Sequence, residues 1–251
     1  MTQLKEKDIG FISYEQYNEM KSLNIENPDD YLTYKEGETN VKDVEAILLN
    51  SVEHIEVTNN NHTLVVIDDF YNDPDAVRDF ALTRNFVPRG EHGAIGHRTL
   101  DHYHFEGVKE RFENILGGKM ITGEKLGGWE YQTNGVFQHC MAEDPFVIHA
   151  DAQQWAAMVY LTPNAPPQCG TSMYRHKESG LDSIRGDDWD IFKGNYYDET
   201  PFVLVDKIGN KYNRCVIMDA KLIHAASEYF GDSMMNDRLF QIFFFDTENK
   251  Q

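Results

Sequence analysis

The stretch Phe146-Val-Ile-His149-Ala-Asp151-Ala-Gln-Gln-Trp155-Ala-Ala-Met-Val-Tyr-Leu161 decides how this chain is read. It opens apolar and strand-like, then sets His149 and Asp151 two positions apart. Successive strand side chains point to opposite faces, so these two share a side and can hold one metal ion between them. The stretch closes on Trp155–Leu161, an unbroken apolar run of the length expected for a strand buried on both faces.

A third ligand has to come from a distant strand. Leu222-Ile223-His224 offers one, 73 positions after Asp151. Two histidines and one carboxylate form the facial triad of non-haem Fe(II) sites, which leaves coordination positions open. Arg238 follows 14 residues after His224 and opens the apolar run RLFQIFFF. A guanidinium there has the fork geometry to grip a carboxylate bidentately.

The surrounding pattern supplies the walls. Candidate strands are TLVVIDDF from Thr63, then Trp129–Cys140, Phe146–His149, Trp155–Leu161, Thr171–Arg175, Phe202–Ile208, Tyr212–Met218, Leu222–Ala225 and Arg238–Phe245. Turn signals such as TPNAPP, ESG, IGN and YFGD separate most of them. Asp73 as N-cap and Pro74 in the first turn start a helix over Pro74–Arg84. A second helix covers Glu110–Leu116, with Val108, Phe112, Ile115 and Leu116 on one face, and Gly117 and Gly118 stop it. Short strands after a helical start predict a mainly β fold with flanking helices, a jelly roll or related barrel. Residues 1–60 are acidic and weakly patterned. They read as an N-terminal extension packed on the core, with short helices at Tyr14–Leu23 and Val41–Val52, and residues 61–251 read as the main domain.

Composition narrows the function. The 251 residues carry 23 Lys and Arg against 42 Asp and Glu, a formal charge of −19. General nucleic-acid coating needs clustered cations and is excluded. The longest apolar run falls far short of the ~20 residues of a membrane-spanning helix. MTQLKEKDIG lacks a signal-peptide core, so the expected location is the cytoplasm. Cys140, Cys169 and Cys215 are too widely spaced for a zinc site and read as small buried residues.

His149-x-Asp151, the distant His224 and the following Arg238 resemble the 2-oxoglutarate/Fe(II)-dependent dioxygenases. HADAQQWAAMVYLTP, CGTSMYRHKESG and LIHAASEYFG with RLFQIFFFD resemble a phage- and bacterium-associated, prolyl-hydroxylase-like branch, over roughly Leu64 to Asp246. The resemblance implies a double-stranded β-helix, the cupin-like form of the jelly roll. It implies Fe(II) on His149, Asp151 and His224, and 2-oxoglutarate chelating that iron with its far carboxylate on Arg238. O2 would be the oxidant, succinate and CO2 the by-products, and a small-molecule or peptidyl substrate would be hydroxylated. Many relatives carry a small hydroxyl residue two positions after the arginine; here Phe240 stands there. Gln138, Tyr131 and Tyr160 are candidate polar contacts to the cosubstrate, and Lys221 is a rival cation to Arg238.

Two other classes use the same three ligands. A cupin-like metal-dependent hydrolase or isomerase needs no Arg238, and a metal-stabilised jelly-roll protein consumes no 2-oxoglutarate. Other features read as follows. His102 and His104 form another i, i+2 pair, assigned to the surface or a substrate loop. Arg175-His176-Lys177 is a basic spot of either substrate or structural use. The resemblance implies a mobile substrate lid in the Gly-rich loop Arg89–His104, where Gly90, Gly93 and Gly96 would permit motion or simply form turns. Trp189, Phe192, Tyr196 and Tyr197 are read as covering a barrel face.

Overall fold

The computed structural model describes residues 63–88, 95–192 and 196–248. The expected extension over 1–60, with its two helices, and the glycines Gly90 and Gly93 lie outside the described residues. The described chain runs β1 (Leu64–Ile67), α1 (Pro74–Leu82), β2 (Phe86–Pro88), β3 (His97–Thr99) and α2 (Val108–Leu116). It continues through β4 (Val136–Cys140), β5 (Trp155–Tyr160), β6 (Thr171–His176), a 3-10 turn (Asp188–Phe192), β7 (Phe202–Ile208), β8 (Cys215–Asp219), β9 (His224–Ala226) and β10 (Arg238–Phe245).

The described strands form two antiparallel sheets. The larger has the order β1-β8-β5-β10-β4-β3-β2 and the smaller β7-β6-β9. His149 bridges to His224, which adds the segment before β5 to the small sheet beside β9. From β4 onward the chain therefore crosses between the sheets repeatedly. This is a double-stranded β-helix, mainly β with two flanking helices among the described residues, as expected.

Period two explains why β5 and β10 lack alternation of polar and apolar residues: both faces are buried. Leu239, Phe243, Phe245, Trp155, Ala157 and Val159 pack outward onto Val77 and Ala81 of α1 and Val108, Phe112 and Leu116 of α2. Phe240, Ile242, Phe244, Ala156, Met158 and Tyr160 face inward, between the sheets. Arg238 shares that inward parity. α1 starts as read: Asp73 Oδ1 accepts from the Ala76 N–H at 2.9 Å, and Pro74 opens the first turn. Gly117, with φ +69°, ends α2 by donating its N–H to Glu113 O.

The structure corrects several boundaries. β4 covers only Val136–Cys140, because Trp129–Asn134 forms turns and Gly135 takes φ +87°. β8 starts at Cys215, after Asn213 in the left-handed region at φ 62°. Phe146–Ile148 makes no ladder; only His149 bridges. Part of the expected lid is strand β3, whose His97 and Arg98 pair with His139 and Gln138 of β4. There it is a wall rather than a lid. Gly96, at φ +69°, approaches so closely that a Cβ would collide with the carbonyl of His139. All three cysteines are free and buried. Among the described residues, no helix is long and apolar enough to cross a membrane.

Thr162 ties the start of β10 to the chain leaving β5. Its hydroxyl donates to Asp237 O at 2.6 Å and accepts from the Leu239 N–H at 3.0 Å. Thr162→Val keeps the shape and removes both hydroxyl bonds, leaving the Leu239 N–H and Asp237 O only their own contact at 3.0 Å. We expect a loss of about 1–3 kcal/mol in urea unfolding, for two hydrogen bonds at about 0.5–1.5 kcal/mol each; an unchanged midpoint and slope would refute this role.

Candidate metal centre and its cavity

His149 and His224 are each other's backbone partners. The His149 N–H donates to His224 O at 3.0 Å, and the His224 N–H donates to His149 O at 2.8 Å. This pairing sets the two imidazoles 4.4 Å apart, centroid to centroid. Each ring turns its Nδ1 to a carbonyl two residues back: Val147 O at 3.3 Å for His149, and Leu222 O at 2.8 Å for His224. A carbonyl only accepts, so Nδ1 carries the hydrogen and Nε2 is left as a ligand atom.

Asp151 completes the group. Its N–H donates to Ala220 O at 2.7 Å, which holds the turn between the sheets. Its carboxylate lies 3.9 Å from His149 Nε2 and 3.4 Å from His224 Nε2. Ligand atoms of His149, Asp151 and His224 all fall within 4.8 Å of one another, the only such group of three among the described residues. The set fits a divalent transition metal: two neutral imidazoles, one carboxylate, and an open side facing a cavity.

Charges at the triad are ordered for binding. Burial, reinforced by neighbouring His224, pulls the His149 pKa down to about 4. Burial also opposes the charged form of His224, but its hydrogen bond and charge pairing with Asp151 prevail and raise its pKa. For Asp151 burial pushes upward, yet the His224 hydrogen bond and the charges of His149, His224 and Arg98 carry it below the ordinary value.

The triad opens on a cavity of about 380 Å³ between the sheets. Arg238 lines it, 3% exposed. Its Nε and Nη2 donate to the carbonyls of Cys169 and Gly170, at 3.3 and 3.2 Å. Gly170 itself lies against the end of β7, where a Cβ would collide with Ile208 O. The guanidinium packs 4.6 Å from the Phe240 ring centre and 5.3 Å from that of Tyr160. No described carboxylate forms an ion pair with it. The ionisable groups around it stay neutral: burial pushes the Cys140 thiol up to about 11 and raises the Tyr160 and Tyr229 hydroxyls.

The remaining expectations separate. Gln138 lines the cavity, but its side chain holds Arg98 and the Ile95 carbonyl. Tyr160 stands behind Arg238 rather than at the wall, its hydroxyl 2.7 Å from Thr171 Oγ1. Tyr131 is displaced from the site, because the turn ahead of β4 carries it away; Thr133 lines the cavity instead. Lys221 does not line it either. Its Nζ donates to the carbonyls of Asp151 and Ala152 and so braces the metal turn. His104 stacks on Trp129 and bonds the Asn134 carbonyl, a structural use. His176 pairs with Ser179, Arg175 with Asp182 and Lys177 with Thr200 O, away from the triad.

Three groups went unread in the sequence. Thr171 lines the cavity beside Arg238, offering the hydroxyl that Phe240 lacks. Arg98 lines it from β3, too short a strand to announce itself by pattern. Trp189 and Tyr196 line it as well, while Phe192 is buried against Ile148 and Ile223. The aromatic insertion therefore divides between covering the barrel and walling the site.

No family model matches the chain, and no curated protein does. Solved structures similar to it include HygX from Streptomyces hygroscopicus with nickel, 2-oxoglutarate and hygromycin B bound. That match has 11% identity over 72% of this chain and 81% of HygX, with a TM-score of 0.43. HygX has also been crystallised with iron. A Pseudomonas putida prolyl-4-hydroxylase matches at 12% identity over 74% of this chain and 94% of its own, TM-score 0.39. The Fe(II)/α-ketoglutarate-dependent dioxygenase TqaL matches at 8% identity over 90% and 93%, TM-score 0.39.

The ordering of charges gives a measurable proton count. Below its raised pKa, His224 brings one proton to the metal-free site; His149 is already neutral above pH 4, and Asp151 is already ionised. Metal binding displaces that single proton. Between about pH 5 and 6.5, Ni(II) affinity falls about tenfold per unit as the pH drops. Titration calorimetry in two buffers checks this; release of two protons would contradict it. Asp151→Ala removes the anionic ligand and abolishes binding at this site, while unchanged affinity would exclude Asp151.

Proposed function

We propose that this protein is an Fe(II)- and 2-oxoglutarate-dependent oxygenase that hydroxylates a small-molecule or peptidyl substrate, with release of succinate and CO2. The observation that carries this reading is Arg238. A cation buried to 3% exposure, with no acidic partner among the described residues, is costly unless an anion completes it. It faces the same cavity as a His-Asp-His triad. A dicarboxylate with one end on a metal and the other on a guanidinium satisfies both ends.

His149 and His224 would hold iron through Nε2 and Asp151 through its carboxylate. Bound iron supplies the redox centre that couples decarboxylation of 2-oxoglutarate to oxidation of substrate. The chain's own residues do the positioning. Arg238 and the Thr171 hydroxyl take the far carboxylate, and Tyr160 supports both from behind. Phe240, Ile242, Phe244 and Met158 keep water from that end, which strengthens each charge contact. The Nδ1 hydrogen bonds to Val147 O and Leu222 O fix the ring orientations, so no ligand has to be ordered on loading.

A hydrolase, an isomerase or a structural metal site would account for the triad but leave Arg238 without a purpose. The test is 2-oxoglutarate turnover without added substrate. With Fe(II) and air, slow succinate release is expected, absent in Asp151→Ala. In Arg238→Met the dissociation constant for 2-oxoglutarate rises at least about thirtyfold, for loss of ~2 kcal/mol or more from a buried charge contact. Metal affinity stays unchanged. No succinate, or cosubstrate binding indifferent to Arg238, would overturn the reading.

A further inference from the structure

Gln153 lines the same cavity, and the oxygenase reading gives its side chain nothing to do. The residue is 8% exposed, and its amide makes no hydrogen bond among the described residues. Gln138, on the same wall, is the contrast: its amide is occupied by Arg98 and the Ile95 carbonyl. A carboxamide offers an acceptor oxygen and two donor hydrogens. Leaving that capacity unmet in a buried site is costly, and a ligand with the complementary groups recovers it.

Gln153 stands beside the metal centre. It lies two residues past Asp151, in the turn that Lys221 braces through the carbonyls of Asp151 and Ala152, at 3.0 and 2.6 Å. The same Lys221 Nζ lies 5.3 Å from the centre of the Trp189 ring. One ammonium therefore ties the indole to the segment that carries Asp151 and Gln153. Trp189 lines the cavity and remains 37% exposed, whereas Trp129 and Trp155 are buried. A molecule that reaches the metal meets a flat indole and an amide with no partner.

Together these two groups select one kind of ligand. An indole favours a flat ring laid against it. A carboxamide presents acceptor and donor side by side in one plane, and it bonds bidentately to a ring edge whose own donor and acceptor are adjacent. A lone hydroxyl does not span both positions. Resting on the oxygenase reading above, we propose that the substrate is a small flat heterocycle containing a cyclic amide, with its ring on Trp189 and its adjacent N–H and C=O on the Gln153 amide. Gln153 and Trp189 are the specificity residues.

The probe is uracil, a neutral ring with N–H beside C=O. Its counterpart is N,N′-dimethyluracil, which keeps the ring and both carbonyls and has no N–H. Methyl β-glucopyranoside stands for a polyol. Each is titrated calorimetrically into protein loaded with Ni(II) and 2-oxoglutarate. Uracil should bind at least about tenfold tighter than the dimethyl compound, the worth of two hydrogen bonds to a buried amide, and tighter than the glycoside. Gln153→Met should bring uracil down to the level of dimethyluracil, with 2-oxoglutarate affinity kept within about threefold. Trp189→Leu should weaken both pyrimidines by at least about fivefold, for the lost stacking. That variant removes a partly exposed side chain, and it carries the test should Gln153→Met fail to fold.

Equal binding of uracil and dimethyluracil overturns the proposal. So does a preference for uracil that survives in Gln153→Met, or pyrimidine binding indifferent to Trp189→Leu. Tighter binding of the glycoside assigns the wall to a polyol and also overturns it. Loss of 2-oxoglutarate affinity in Gln153→Met as large as in Arg238→Met assigns Gln153 to the cosubstrate, with the same result. Failure of the Ni(II)-loaded parent to bind 2-oxoglutarate at all overturns the oxygenase reading first and this one with it.

Discussion

Two hydrogen bonds between the backbones of His149 and His224 are the constraint on which the site depends. They join the segment before β5 to β9, so they close the small sheet and bring together two candidate ligands 75 positions apart in the chain. The same pairing fixes both ring orientations, because each Nδ1 then finds a carbonyl of its own strand. Asp151 follows without further machinery. Two residues past His149, its backbone is caught by Ala220, and its carboxylate falls between the imidazoles. A metal centre assembled from strand pairing rather than from a mobile loop is rigid before any ion arrives.

The second dependence is electrostatic. Arg238 is the first residue of the longest strand, with inward parity, so the fold carries its charge into the barrel whatever that costs. The carbonyls of Cys169 and Gly170 solvate it partly, and Tyr160 and Phe240 lie against it. None of these neutralises it. The chain as a whole is strongly acidic, at −19, yet among the described residues its central cavity is lined by two arginines and one carboxylate.

How much of this was legible in the sequence follows from what each signal encodes. His149-x-Asp151 is readable because an i, i+2 pair on a strand states its own geometry. His224 is readable because it follows a short apolar strand start at a distance that can return to the pair, and Arg238 because it opens an apolar run that can only be a wall. β5 and β10 are readable because continuous apolar sequence of that length has few other uses. Arg98 is not, since β3 is three residues long and its pairing is made by backbone atoms that leave no side-chain pattern. Thr171 is not, because a lone threonine opening a strand carries no periodic signal. Tyr131 was misplaced because Gly135, at φ +87°, ends the strand that aromatic content alone extends back to Trp129. Trp189 and Tyr196 read as covering residues because aromatic clusters usually pack. Only the fold shows that Phe192 is buried while those two line the cavity.

The most direct test is an anaerobic spectroscopic titration of the metal-free protein, first with Fe(II) and then with 2-oxoglutarate. The account predicts a weak visible metal-to-ligand charge-transfer band on adding the second ligand, at one equivalent of each. That band arises only when keto and carboxylate oxygens chelate the same iron, so it requires the triad and the cavity to act together. Fe(II) binding followed by 2-oxoglutarate without any band would contradict the account and leave a metal site that performs other chemistry.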